Sequence, residues 1–150
     1  MDERSGAGRR IAEEVTSWYG VAAGIGSRGE LSFKVGKREI GHLHGDTVAH
    51  FSFGKELWRQ LRRAGRISYH PVFPNNEGPA ARRILDDEDE ADVIRLLRLN
   101  YETAIGRMNH EAVRSASSAD VPASVADRPH RDELVSRAIL RAGVSPNGFL

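Results

Sequence analysis

Residues 38 to 53 read REIGHLHGDTVAHFSF and place His42, His44 and His50 within nine positions, around a Gly-Asp turn signal. Neutral imidazole is a common metal ligand and titrates near neutral pH, so such a cluster points to metal binding or to proton transfer. His42 and His44 alternate along one strand, about 7 Å apart by its rise. His70, in ISYHPV, supplies a third nitrogen if that strand adjoins, and Glu39 stands just upstream as a carboxylate partner. The competing reading is plain packing, with His42 donating to a backbone carbonyl or packed under a helix and His44 at a wet rim.

The strands that carry these residues decide between the two. Leu31, Phe33 and Val35 alternate with polar residues, as in a half-buried strand. Gly36-Lys37 fits a two-residue turn, Arg38 to His44 forms the second strand, and Gly45-Asp46 leads into a third over Val48 to Phe53. Two such loops pair Val35 with Arg38, Phe33 with Ile40 and Leu31 with His42. His44 then faces Thr47, His42 faces Ala49 and Ile40 faces Phe51. His42 and His44 are thereby expected on the apolar face, with His50 and Glu39 on the other. A three-residue second loop would turn Phe51 and Phe53 outward, at a cost of about 1.5–3 kcal/mol each. This phasing disfavours a three-histidine metal site built from the stretch alone, and neither a metal nor another cofactor is expected.

Around the meander the periodicity is helical. Ile11, Val15 and Trp18 predict a helix over 9–19, after a small, charged and disordered stretch at 1–8. GVAAGIGSRG reads as a loop. KELWRQLRRAG is a helix with Leu57, Trp58, Leu61 and Ala64 on one stripe and Gly65 as its left-handed cap. ISYHPV gives a fourth strand and AARRIL a fifth. Ile94, Leu97, Tyr101, Ile105 and Met108 mark a long helix. Asp87 and Glu90 have capping-box spacing at its start, where the acidic run Asp86 to Asp92 suits the helix dipole. The domain so defined covers 9–108. A polar, Pro-interrupted linker at 109–129 and an amphipathic helix and tail at 130–150 follow.

Composition narrows the function classes. The 150 residues are 39% hydrophobic and 29% charged, with a net charge of +1 and no cysteine. Disulfides, thiolate nucleophiles and cysteine-ligated zinc are thereby removed, and a reducing compartment is favoured. The N-terminus has no apolar signal region, and no window approaches the roughly 18 apolar residues of a membrane span. A soluble cytoplasmic protein is expected. GIGSRG matches the letters of a dinucleotide fingerprint but precedes a strand, where the pyrophosphate site needs a helix. P-loop, nucleophile-elbow and zincin signatures do not occur. Near-neutral charge argues against nucleic acid as a general partner. The one local candidate for phosphate contact is the basic helix face of Lys55, Arg59, Arg62, Arg63 and Arg66, which lacks interleaved aromatics.

WYGV (Trp18 to Val21), ELSFKVGKREIGHLHGD, HPVFP and IRLLRLNYE together resemble the luciferase-domain family of bacterial and fungal proteins. The likeness spans about residues 10 to 105 and is strongest from Gly36 to Gly45. The chain is too short for the flavin-dependent luciferase barrel and has no adenylate-forming signature. The resemblance therefore implies positions rather than a reaction: Glu39, His42, His44 and His70. It also implies two departures. NNEGPAA stands where a Ser-Gly-Trp-like segment is expected, and His50 stands where an acid is.

The sequence thus predicts a small α+β domain: a twisted antiparallel sheet whose apolar face is covered by the 55–64 and 90–108 helices. The leading functional reading is a binding module for an unidentified small molecule or protein, without membrane attachment or a defined oligomeric state. The alternative is a small enzyme using His42 or His44, with His70, as acid/base groups or metal ligands. The third is phosphate-backbone binding by the arginine helix.

Overall fold

A computed structural model describes residues 5–118. Its elements are α1 (Ala7–Thr16), β1 (Val21–Ile25), β2 (Leu31–Val35), β3 (Arg38–His44), β4 (Val48–Ser52), α2 (Lys55–Arg63), β5 (Ser68–Tyr69), β6 (Pro79–Arg83) and α3 (Asp87–Ser118). The strands form one six-stranded sheet in the order β1-β2-β3-β4-β6-β5, with every neighbouring pair antiparallel. The fold is α+β.

One face of the sheet is apolar and covered. α3 packs on β2, β3 and β6, and α1 packs on α3 and β1. Phe33, Val35, Ile40, Leu43, Ala49, Phe51 and Ala80 meet Ile11, Val15, Val93, Leu96, Leu97 and Tyr101 in a single core. α2 closes it with Trp58 and Leu61, and the Trp58 indole N–H donates to the Pro79 carbonyl at 2.9 Å. α1 therefore shares with α3 the cover that the sequence assigned to the 55–64 and 90–108 helices.

Helix ends follow local chemistry. Asp86 Oδ1 accepts the Asp89 N–H at 2.7 Å and caps α3 one residue earlier than the Asp87–Glu90 spacing suggested. The acidic run also binds arginines across the fold. Asp92 receives Arg66 at 2.7 Å and Arg95 at 3.2 Å, and Asp89 receives Arg82 at 2.6 Å. Burial is the largest single influence and would raise the Asp92 pKa, but Arg66, Arg95 and Arg82 together outweigh it and hold the carboxyl below its ordinary value. Gly65, at φ 72°, lets the chain leave α2, with the Arg66 N–H bonding the Leu61 carbonyl.

Several boundaries differ from the sequence reading. The expected loop GVAAGIGSRG contains β1, which pairs with β2 from Val21↔Val35 to Ile25↔Leu31. As an edge strand whose residues 22–25 are all exposed, it shows no hydrophobic alternation to betray it. Residues 5–8, expected within a disordered end, lead into α1, where Ala7 and Gly8 are buried. Asp46 explains this: its carboxylate accepts the N–H of Gly8 at 2.8 Å and of Gly6 at 3.3 Å. ISYHPV contributes only two strand residues, after which His70 bridges Phe73 in a turn. α3 continues through residues 109–118 of the expected linker, and Met108 on its stripe is exposed. The remaining linker, 119–129, and the helix and tail at 130–150 lie outside the described residues. No helix among the described residues is long and apolar enough to cross a membrane.

Candidate metal centre

The histidines are phased by two irregularities. β2 and β3 pair as Val35↔Arg38 and Lys34↔Glu39, then as Phe33↔Gly41, Ser32↔His42 and Leu31↔Leu43. One residue, Ile40, is extra: a β-bulge. Beyond it the parity of β3 reverses, so Leu43 points into the core and His42 and His44 lie on the other face. The β3–β4 connection then has three residues, Gly45 to Thr47, because His44 pairs with Val48 and His42 with His50. This second one-residue slip returns Ala49, Phe51 and Phe53 to the core and leaves His50 on the open face.

The expectation that the sheet separates His50 from His42 and His44 is therefore overturned. The cost of exposing two phenylalanines does govern the register, but two slips satisfy it as well as none. The same bulge puts Glu39 on the face of His42, where unbroken alternation would have separated them.

Gly41 makes the bulge possible. Its φ is 156°, and a Cβ there would lie 2.6 Å from Leu97 Cδ2 and 3.1 Å from the His50 carbonyl. A glycine inside a strand is itself a sign of a bulge or a close approach, and this one was legible in REIGHLH. From the helix side, the Asn100 amide donates to the carbonyls of Ile40 and Ser52, each at 3.1 Å. The bulge carbonyl thus has a partner, and β3 is tied to the end of β4.

On the open face the rings converge. Centroids of His42 and His44 are 5.0 Å apart, those of His42 and His50 5.2 Å, and those of His44 and His50 4.6 Å. One nitrogen from each of the three lies within 4.8 Å of the others. Closing on an ion at about 2.0–2.1 Å would bring tetrahedral nitrogens to about 3.3 Å, a contraction within reach of small side-chain rotations.

Each ring has a distinct setting. Nδ1 of His42 lies 3.1 Å from Glu39 Oε2, while Glu39 Oε1 accepts the Ser32 hydroxyl at 2.5 Å. A carboxylate on Nδ1–H fixes the tautomer and leaves Nε2 with its lone pair, the usual support for a metal-bound imidazole. His50 is 8% exposed, and neither of its ring nitrogens has a hydrogen-bond partner among the described residues. Burial, reinforced by the neighbouring His70, His44 and His42, pushes its pKa down to about 4, so the ring is neutral at physiological pH. The His70 ring lies against it, tilted by 53° with 4.1 Å between centroids, and has its own pKa lowered chiefly by burial. The Val72 N–H points at His70 Nδ1 at 3.1 Å, which leaves the His70 proton on Nε2 when the ring is neutral. His70 is thereby a hydrogen-bond donor beside the triad. Of the sequence candidates, Glu39, His42, His44 and His70 are all brought together here; His50 and Ser32 are the members that sequence reasoning left out.

The arginine helix is differently disposed. Arg59 pairs with Glu77 and Arg66 with Asp92, while Arg62 lies over the Tyr69 ring. Lys55 and Arg63 share α2 with Arg59 and Arg62 and are not among the residues clustered around the histidines.

The family model described as Luciferase domain matches residues 37–100, from the β2–β3 turn into α3. The stretch includes Glu39 and all four histidines of the cluster, and over it the chain is similar to luciferase-domain proteins. No curated protein and no solved structure matches the chain.

Proposed function

We propose that this chain is a metalloprotein in which His42, His44 and His50 hold one divalent transition-metal ion on the open face of the sheet. The observation that carries the reading is His50: a buried, neutral imidazole with both nitrogens unpartnered among the described residues, set between two other imidazoles. An unsatisfied buried polar ring is costly, and ligation would satisfy it. Three imidazole donors suit zinc, copper, iron or nickel better than calcium or magnesium. Three protein ligands leave coordination positions open, as in catalytic rather than structural sites, so the ion would supply Lewis acidity toward an oxygen ligand. Glu39 would orient His42, and His70 would offer an N–H to whatever binds. A small metal-dependent enzyme is thus favoured over a binding module without a metal. The lack of cysteine fits a cytoplasmic setting for it.

The test is metal content. Chelator-stripped protein, reloaded with Zn²⁺ or Co²⁺ and desalted, is expected to retain about one ion per chain by elemental analysis. His50→Ala is expected to lose it while keeping its far-ultraviolet circular dichroism. A wild-type chain that retains no ion would end the reading.

A further inference from the structure

Beside the triad the sheet surface opens into a cleft of about 750 Å³, lined among others by His44, His50, Ser68, Pro71, Arg83 and Leu85. That volume suits a small organic molecule. Its two ends differ in chemistry. His44 pairs with Val48 and Val48 pairs with Arg83, so His44 and Arg83 lie on one row across three strands. Two strand spacings, about 9–10 Å between Cα lines, separate them. Between them the row presents only the Val48 side chain, and Leu85 adds an apolar wall that is 67% exposed.

Arg83 is the unusual member. Its neighbour Arg82 is bound by Asp89 and Asp92. Arg83 is exposed and has no ion-pair partner among the described residues. A guanidinium at the edge of an apolar cleft favours a planar oxyanion, which it binds through two parallel N–H bonds.

We propose that this cleft binds a small amphipathic carboxylic acid, with its carboxylate on Arg83, its apolar body along Val48 and Leu85, and its far end at the histidine triad. The assignment rests on the metal reading for that far end alone; the carboxylate end stands on Arg83 and the cleft. Arg83 is then the residue that selects the charge of the ligand, and the two-strand separation sets its length.

The probe is trans-cinnamate, titrated by calorimetry into zinc-loaded protein and into chelator-stripped protein. Cinnamate is expected to bind, with methyl cinnamate at least tenfold weaker and inorganic phosphate failing to displace it at equal concentration. Arg83→Gln is expected to weaken cinnamate at least tenfold and Arg83→Lys less, with unchanged melting temperature. Equal binding of acid and ester, unchanged binding by Arg83→Gln, equal binding of phosphate, or no binding of cinnamate would each overturn the proposal. Loss of metal uptake together with retained Arg83-dependent binding would remove the metal reading and leave this one standing. Metal uptake with Arg83-independent binding would do the reverse.

Discussion

Glu39 and His42 are three residues apart on one strand, yet Glu39 Oε2 lies 3.1 Å from His42 Nδ1. Strict alternation would put such residues on opposite faces, and only the extra residue at Ile40 lets them meet. The bulge thus creates the carboxylate–imidazole pair as well as the triad. The Ser32 hydroxyl on Oε1 holds the carboxylate from β2, across the bulged ladder. Both carboxylate oxygens are engaged.

Removing that charge separates orientation from ligation. Glu39→Gln keeps the shape of the side chain but can present its amide N–H to His42 and loses the negative charge. We expect metal affinity to fall about 10–100-fold, the usual effect of losing such a support. Zn²⁺ competition with a chromophoric chelator measures it. An unchanged affinity would detach Glu39 from the centre.

Gly41→Ala tests the bulge itself. The added methyl would fall 2.6 Å from Cδ2 of the buried Leu97, with the His50 carbonyl at 3.1 Å and Phe51 Cδ1 at 3.2 Å, so the packed Leu97 side chain or the strand must shift. A destabilisation of about 1–3 kcal/mol is expected, in the range of core overpacking. Denaturant melts would show it, and metal retention should fall in the fraction that stays folded. A variant as stable as wild type with a full complement of metal would contradict the account of Gly41.

The metal-free protein should be acid-sensitive in a defined window. The folded-state pKa of His50 is about 4, against an ordinary value of 6.5. Between those values the unfolded chain binds more protons than the folded one, so stability falls as pH is lowered from about 6.5 to about 4 and is level above 6.5 in respect of this group. His70, also lowered, adds a slope of the same sign. Melting temperatures in chelator from pH 8 to pH 4 follow the effect. His50→Gln should flatten part of the slope and leave the share due to His70. A slope identical to wild type would dissociate the acid response from His50.

Much of this architecture was readable in the residues. Val35↔Arg38 across Gly36-Lys37, the inward direction of Phe51 and Phe53, the α2 stripe and the long apolar face of α3 all follow from periodicity and turn chemistry. The site was half legible, since the histidines were conspicuous but their faces were assigned from an unbroken alternation. Periodicity reports burial, and burial was conserved downstream because the bulge at Ile40 and the third loop residue, Thr47, cancel. Between those two slips the pattern offered little resistance: exchanging Leu43 for His42 and His44 on the core side changes only a few residues. Gly41 was the single local clue. β1 escaped for the opposite reason, because an edge strand exposed over residues 22–25 carries no pattern to read.

The Asp46 clasp on the amides of Gly6 and Gly8 links the loop below His44 to the first turn of α1. The segment from Gly6 to Gly8 thereby serves as a tether for the hairpin that carries His42, His44 and His50. A fusion tag or a trimmed start that disturbs this turn would slacken the hairpin 40 positions away, so recombinant forms with different leaders should be compared before any loss of ion uptake is credited to a substitution.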